Sequence, residues 1–324
     1  MTSFDPVALT LALARIPSPS GEEHAATAHV ADVLAGLGYH VVRQPVDNGR
    51  ENLYAYREPP ALVFSTHLDV VPPHLPVYED DEWLRGRGVC DAKGIAAAMV
   101  AAAERLAHAG ERRIGLLFVV GEEIGSDGAR AAAALEPKGR FLINGEPTEN
   151  RLVTASKGLL HVQLRSTGRA AHSAYPREGQ SAILPLLDTI GRIRHMPLPF
   201  DPVLGESTVN IGMIKGGVAP NVIPADAEAA LLFRTVGPSD TIRERVLARL
   251  EPGVTAEFGR EIPAITAPAP EGWESTTVAF ASDLPFHGAW GYGVMLGPGT
   301  IRVAHTADER IRKSELLEGV EKYV

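Results

Sequence analysis

The sequence holds a single cysteine, Cys90, so no disulfide can form within the chain, and a reducing compartment is the expectation. Basic residues are in the minority, 31 against 40 acidic ones, for a formal net charge of −9. That balance gives no basic face for nucleic acid and disfavours a strongly acidic protein partner. Long apolar runs are missing too. The longest is the Ala-rich stretch 95–103, too short to span a bilayer, so no membrane segment is expected. The first residues lack the basic start and long apolar core of a secretion signal, which makes a cytoplasmic location the expectation. Neither the G-x-G-x-x-G nor the P-loop spacing occurs, so a nucleotide-binding reading has no support. What remains is 324 residues with 45% hydrophobic content, enough for one large or two ordinary domains with a sizeable core.

The hydrophobic pattern changes along the chain. Residues 6–16 and 22–37 carry helical spacing. The run "ALVFSTHLDVV" and the later "RRIGLLFVVGEE" are nearly continuous in apolar residues, as buried strands are, and between them "AKGIAAAMVAAAERLAHAG" reads as a long helix closed by Gly110. "RFLINGEPTE" is a further strand with an acidic end. Strands alternating with helices predict a mixed α/β domain with helices on both faces of its sheet. From about residue 157 the alternation takes period two, and the order becomes β-α-β-β-α-β, a ferredoxin-like α+β unit. After "IPAITAPAPEG" the α/β character returns. The expectation is therefore two domains: residues 1–157 plus 271–324 as a discontinuous catalytic domain, and 158–270 as an insertion.

Chemistry-bearing residues gather at the ends of the apolar strands, where ligands collect in such folds. His67 closes one, and Asp69 two residues on falls on the same side of an extended chain, placed to orient a metal-binding imidazole. Without a metal the pair is simply a strand-end histidine beside a loop aspartate. Asp91 lies in the glycine-rich "GRGVCDAKG" as a metal ligand or a helix cap, and on its own the cap is the simpler role. Its neighbour Cys90 reads as a buried, inert thiol. In "FVVGEEIGSDGAR", Glu122 and Glu123 follow a buried strand directly. One could hold a metal while the other deprotonates a water. A solvated acidic loop is the plain alternative. Glu146, in "INGEPT", ends another apolar strand, and His305 lies far downstream in "AHTADER". Together His67, Asp91, Glu123, Glu146 and His305 supply two nitrogens and three carboxylates. That set suffices for two divalent ions if one carboxylate bridges, and suits Zn²⁺, Co²⁺ or Mn²⁺.

Taken in order, "STHLDVVP", "GRGVCDAKGIAAA", "VVGEEIGSDGA", "INGEPTE", "HSAYPREG" and "AHTADERI" resemble the M20 metallopeptidase and deacylase family, from about residue 5 to the end of the chain. "GVCDAKG", "LLFRTVGPSD", "GYGVMLGPG" and "AHTADERI" look most like acetylornithine and acetylcitrulline deacetylases. The resemblance implies His67 and Glu146 on one metal, Glu123 and His305 on the other, and Asp91 bridging them, often followed by a cis peptide. It implies Asp69 as the residue that orients His67 and Glu122 as the general base. The inserted unit would be a lid and dimerisation domain, making the protein a homodimer. There His172 would stabilise the tetrahedral oxyanion, and Asn221 and Arg234 would contact substrate, Arg234 as a clamp for an α-carboxylate. Gly297, in "LGPGT", would line the pocket unless the segment is simply a turn. The expected activity is removal of an acyl group, acetyl first, from an amino acid such as N-acetylornithine or N-acetylcitrulline, with two metal ions, Zn²⁺ first. Succinyl-diaminopimelate desuccinylase, a hydrolase of carrier-protein-bound lysine or ornithine, and a dipeptidase or carboxypeptidase share these ligand motifs. The net charge of −9 weighs against an acidic carrier partner. A catalytically silent binding protein on the same fold is the reading from another class, and the complete ligand set speaks against it.

Overall fold

The computed structural model describes residues 4–324. The chain divides into two compact units, one holding the chain up to Thr154 with Ala267–Thr276 and Ser282–Val324, the other Ala155–Thr266 with Thr277–Ala281.

The first unit is built on a mixed sheet. Six of its strands lie in the order His40–Pro45, Glu51–Tyr56, Ile114–Val119, Leu62–His67, Phe141–Asn144 and Tyr292–Met295. The first two run antiparallel to their neighbours, while the last four are mutually parallel. Alternation along each strand sends side chains to both faces. Leu53, Ala55, Phe64, Leu116 and Phe118 join one buried cluster with the helix Lys93–His108. Tyr54, between Leu53 and Ala55, meets Trp290 of the 3-10 helix Leu284–Trp290 edge-on, ring centroids 5.3 Å apart. The Lys93–His108 helix is rich in alanine, the strongest helix former, and small enough to be buried along most of its length against sheet and flanking helices. The helix Pro6–Ala14 starts with the Asp5 carboxylate accepting the N–H groups of Val7 (2.9 Å) and Ala8 (3.2 Å), with proline at its first position. At its far end the buried Lys93 ammonium donates to the carbonyls of Leu13 (3.1 Å) and Ile16 (2.6 Å), groups a helix terminus otherwise leaves unpaired.

The second unit is a four-stranded antiparallel sheet ordered Thr208–Gly216, Asp226–Thr235, Gly158–Thr167, Val254–Ile262. In chain order this is the β-α-β-β-α-β arrangement, with the helices Ile183–Arg194 and Asp240–Leu247 between strands. Leu160, Val162, Leu164, Leu231 and Phe233 share a core with Leu186, Ile190 and Ile242 of those helices.

A small three-stranded sheet was not expected. The strands Tyr78–Glu79, Trp83–Arg85 and Arg310–Arg312 pair antiparallel, joining the approach to Asp91 with the segment after His305. Strands of two or three residues are too short to carry a readable period.

A candidate metal centre at the ends of the parallel strands

The four parallel strands end side by side, and each C-terminal end delivers a residue singled out by the sequence. Leu62–His67 ends in His67, Ile114–Val119 leads into Glu122 and Glu123, Phe141–Asn144 into Glu146, and Tyr292–Met295 into Gly297. After Val120 the chain turns at Gly121, whose φ of 73° lies in the left-handed region open to glycine.

The Asp91 carboxylate stands between two histidines. Its Oδ1 is 3.2 Å from His67 Nε2 and its Oδ2 is 3.3 Å from His305 Nε2. His305 Nε2 also lies 2.8 Å from Glu123 Oε1. His67, Asp91 and Glu123 each offer one ligand atom, and these atoms all lie within 4.8 Å of one another. His305 holds a positive φ of 63°, a conformation that a side chain of this size adopts only when its surroundings impose it. Asp91 does not cap the following helix, whose N-cap is Ala92 and has no side-chain cap bond; the Asp91–Ala92 peptide is cis.

His67 is oriented from behind. Its Nδ1 donates to the backbone carbonyl of Asp69 at 2.9 Å, with the Asp69 carboxylate 3.4 Å away. In the neutral ring Nδ1 therefore carries the proton and Nε2 presents a lone pair toward Asp91. The Asp69 carboxylate accepts the N–H groups of Glu122 (3.1 Å) and Glu123 (3.0 Å) and the Ser20 hydroxyl (2.7 Å).

The charge balance of the cluster asks for a cation. Glu122 is 8% exposed and Glu146 4% exposed, and Glu146 Oε1 is buried without a hydrogen-bond partner among the described residues. Burial first, then Asp283, pushes Glu122 well above the usual carboxylate range; burial and Glu122 do the same to Glu146. His305 is pushed up to about 10 by its bonds to Asp91 and Glu123. Burial disfavours a charged His67, but the bonds to Asp69 and Asp91 outweigh it and hold that ring well above its ordinary value. Buried carboxylates crowded this closely are neutralised by protons or by bound cations, and imidazole with carboxylate is the donor set of a divalent transition ion. The residues present fit such an ion.

Gly297 serves its neighbours. Its N–H donates to Thr148 Oγ1 at 3.0 Å and its carbonyl accepts the N–H of Asn150 at 2.9 Å, while a Cβ here would lie 2.5 Å from the Glu146 carbonyl oxygen. Glycine lets this loop approach the backbone of Glu146. Cys90 is buried, and burial pushes its thiol well above the ordinary value, which disfavours the thiolate form.

In the second unit the structure brings His172 and Asn221 together. The short strand Ala171–His172 pairs with Val222–Ile223, and the Ser173 N–H donates to the Asn221 carbonyl at 3.0 Å. His172 is exposed, and its Nδ1 accepts the N–H of Ala174 at 3.1 Å, which leaves Nε2 as the protonated, donating nitrogen of the neutral ring. Arg234 is half-buried near the end of the strand Asp226–Thr235, opposite Leu159 and Thr208.

Sequence reasoning passed over Glu309 and Arg87. Both are buried, and their side chains pair at 2.6 Å. The adjacent "DER" triplet is charged throughout and gives no sign that its middle residue points inward.

The model of peptidase family M20/M25/M40 matches residues 63–324. The chain belongs to the M20 peptidase family. Among curated relatives of this M20 peptidase, a probable carboxypeptidase of Aspergillus clavatus is 37% identical over 96% of the chain and 79% of the relative. A peptidase M20 domain-containing protein of Schizosaccharomyces pombe is 35% identical over 98% of the chain and 82% of the relative. Among solved structures, a tripeptidase from Staphylococcus aureus superposes with a TM-score of 0.82 at 21% identity, covering 99% of this chain and 98% of that one, a likeness of fold. The M20 peptidase has no helix among its described residues long and apolar enough to cross a membrane.

Proposed function

We propose that this chain is a two-metal hydrolase of the amide bond that joins an acyl or peptidyl group to a C-terminal amino acid. The observation that carries the reading is Asp91, whose two oxygens each face a different histidine, 3.2 Å from His67 and 3.3 Å from His305. In this reading His67 and Glu146 would hold one ion, Glu123 and His305 the other, and Asp91 would be shared between them. Zn²⁺ is the first choice, and the same donors accept Co²⁺ or Mn²⁺. Bound there, the ions would polarise the substrate carbonyl and make a water more acidic.

The chain's own groups do the rest. Glu122 takes a proton from the attacking water and returns it to the nitrogen of the departing amine. Asp69 keeps His67 aimed and pins the backbone of Glu122. His172 donates from Nε2 to the oxyanion, with Asn221 beside it on the same ladder. Arg234 binds the substrate's α-carboxylate.

A small C-terminal-residue substrate is supported by the carboxypeptidase name of the Aspergillus clavatus relative. The stretches "LLFRTVGPSD" and "GYGVMLGPG" favour a second reading, deacetylation of N-acetylornithine or N-acetylcitrulline. Both cleave an amide on the α-nitrogen of an amino acid with a free carboxylate. We place the enzyme in the cytoplasm, in keeping with its one buried cysteine. We also propose a homodimer through the second unit, where the outer strand Thr208–Gly216 leaves Met213 and Ile214 about half exposed.

The test is amine release by Zn²⁺- or Co²⁺-loaded protein. The panel would hold dipeptides, N-blocked dipeptides, N-acetylornithine, N-acetylcitrulline and N-succinyl-diaminopimelate. Turnover confined to peptides selects the carboxypeptidase reading, and turnover confined to an acetylated amino acid selects the deacetylase. Metal-loaded protein that cleaves none of them refutes both.

A further inference from the structure

Glu309 sits where the two halves of the candidate centre meet. Its side chain is wholly buried. One oxygen, Oε1, accepts three backbone N–H groups of the loop leading into Asp91: Gly88 at 2.8 Å, Asp91 itself at 3.2 Å and Cys90 at 3.3 Å. The other, Oε2, accepts from the buried Arg87 guanidinium at 2.6 Å, and Arg87 Nε reaches the Pro73 carbonyl at 3.3 Å. The Glu309 backbone carbonyl accepts the Gly86 N–H at 3.1 Å. Next to it, Arg310–Arg312 is zipped onto Trp83–Arg85.

An ordinary ion pair needs only the Arg87 contact. Three convergent N–H groups on a single oxygen make a cradle that favours the ionised carboxylate, because hydrogen bonds to an ionised acceptor are roughly twice as strong as neutral ones, and with Arg87 they oppose the burial and the Asp91 charge that push the Glu309 carboxyl up. The cradle is built from the loop that carries Asp91, and the carboxylate comes from the segment that carries His305, four residues earlier in the chain. Asp91 Oδ2 and His305 Nε2 are 3.3 Å apart. One side chain thus fixes the distance between the bridging carboxylate and the histidine opposite it, and it also braces the segment on which His305 keeps its left-handed backbone.

We propose that Glu309 is a positioning residue for the metal centre: it holds Asp91 and His305 in register so that both can engage the second ion. The proposal rests on the two-metal reading given above.

The test is a Co²⁺ titration of the metal-stripped protein against a competing chelator, read by visible absorption, on wild type, Glu309→Gln, Glu309→Asp and Glu104→Gln. Glu104 is another buried carboxylate, paired with Arg57 at 2.7 Å and bonded by Tyr39, away from the centre. It controls for loss of stability alone. Partners behind metal ligands typically contribute 10–100-fold in affinity. Glu309→Gln is expected to weaken the second Co²⁺ equivalent by about 10–100-fold and to alter its absorption bands. Glu309→Asp, which keeps the charge on a shorter arm, should restore part of the loss. Glu104→Gln should lower the melting temperature with Co²⁺ affinity unchanged. In an Asp91→Asn background, Glu309→Gln should weaken Co²⁺ by a smaller factor than in wild type, because only the part of its effect that passes through His305 remains. If Glu309→Gln does not fold, the Glu309→Asp titration decides alone. Wild-type affinity and spectrum in the folded Glu309 variants overturn the proposal and leave the two-metal reading standing. Wild-type protein that takes up no Co²⁺ overturns both.

Discussion

The Asp69 carboxylate accepts the backbone N–H of Glu123 at 3.0 Å, and its other oxygen accepts that of Glu122 at 3.1 Å. The strand-end loop with both glutamates is therefore anchored to the loop that follows His67. Side chains on two adjacent parallel strands are held in one frame by a single carboxylate, itself kept below the usual carboxylate range: burial opposes this, and the bond to His67 outweighs it. In the proposed mechanism Asp69 would act through this frame without touching substrate.

Asp69→Ala should show this. It removes the acceptor for two backbone N–H groups and the Ser20 hydroxyl, and loosens the loop whose carbonyl aims His67. Loss of such support typically costs 10–100-fold in metal affinity or activity, so kcat/KM should fall by about that factor. Steady-state kinetics together with a metal titration measure it. A variant within twofold of wild type in both would remove Asp69 from the site.

Glu122→Gln keeps the side chain's size but cannot take up a proton. General acid–base catalysis typically contributes 10²–10⁴-fold, so kcat should drop by about that range. Because Glu122 is not among the ligands in the proposed assignment, metal content should stay at the wild-type level and KM should change little. Elemental analysis beside the kinetics separates the roles: lost metal would make Glu122 a ligand, and an unchanged kcat would give proton transfer to another group.

The strand-end residues were legible because a buried apolar run followed by His, Glu-Glu or Gly-Glu is visible in one dimension. The second unit was legible because its strands alternate, Leu160, Val162 and Leu164 inward and His161, Gln163 and Arg165 outward. Asp69 was expected to steer His67 by its carboxylate, since residues two apart on an extended chain share a side. The backbone carbonyl is the nearer at 2.9 Å, the carboxylate lies 3.4 Å from the same ring nitrogen, and that carboxylate also reaches the loop after the neighbouring strand, a contact between residues over fifty positions apart. Glu309 was illegible for the same reason. Its cradle is made by N–H groups, which every residue but proline carries, so no side-chain pattern marks them.

Removing divalent ions should cost stability as well as activity. A ligand at 100–1,000 times its Kd stabilises the folded state by about 2.7–4.1 kcal/mol, and the buried oxygens of Glu146 and Asp91 have most to gain from it. A chelator such as dipicolinate should lower the melting temperature and abolish turnover, and Zn²⁺ or Co²⁺ should restore both. A melting temperature and turnover indifferent to chelation would dismiss the metal centre.

Arg234 tests the substrate class. If it holds an α-carboxylate, Arg234→Met should raise KM by about tenfold or more with a smaller change in kcat, the signature of lost ground-state binding. Arg234→Lys should recover only part, since an ammonium cannot make the paired contact of a guanidinium. Substrates amidated at the C-terminus should be poor for wild type and indifferent to the substitution. Equal turnover of free and amidated substrates by wild type would dismiss the clamp.

His287 predicts how stability falls on the acid side. Its ring is buried, Nε2 lies 3.3 Å from Ser65 Oγ, and burial lowers its pKa from 6.5 to about 4. A group whose folded pKa is depressed favours the folded state above the unfolded value and withdraws that support as pH falls toward the folded one. The unfolded chain binds a proton from about pH 6.5 downward while the folded ring resists until about pH 4, so stability drops across that window by about 3 kcal/mol. His287→Gln, which cannot take up the proton, should flatten this part of the curve even if it lowers the plateau at neutral pH. Urea unfolding of both proteins at half-unit steps from pH 7.5 to 4 decides it. Parallel curves for wild type and variant would show that the acid lability arises from other groups.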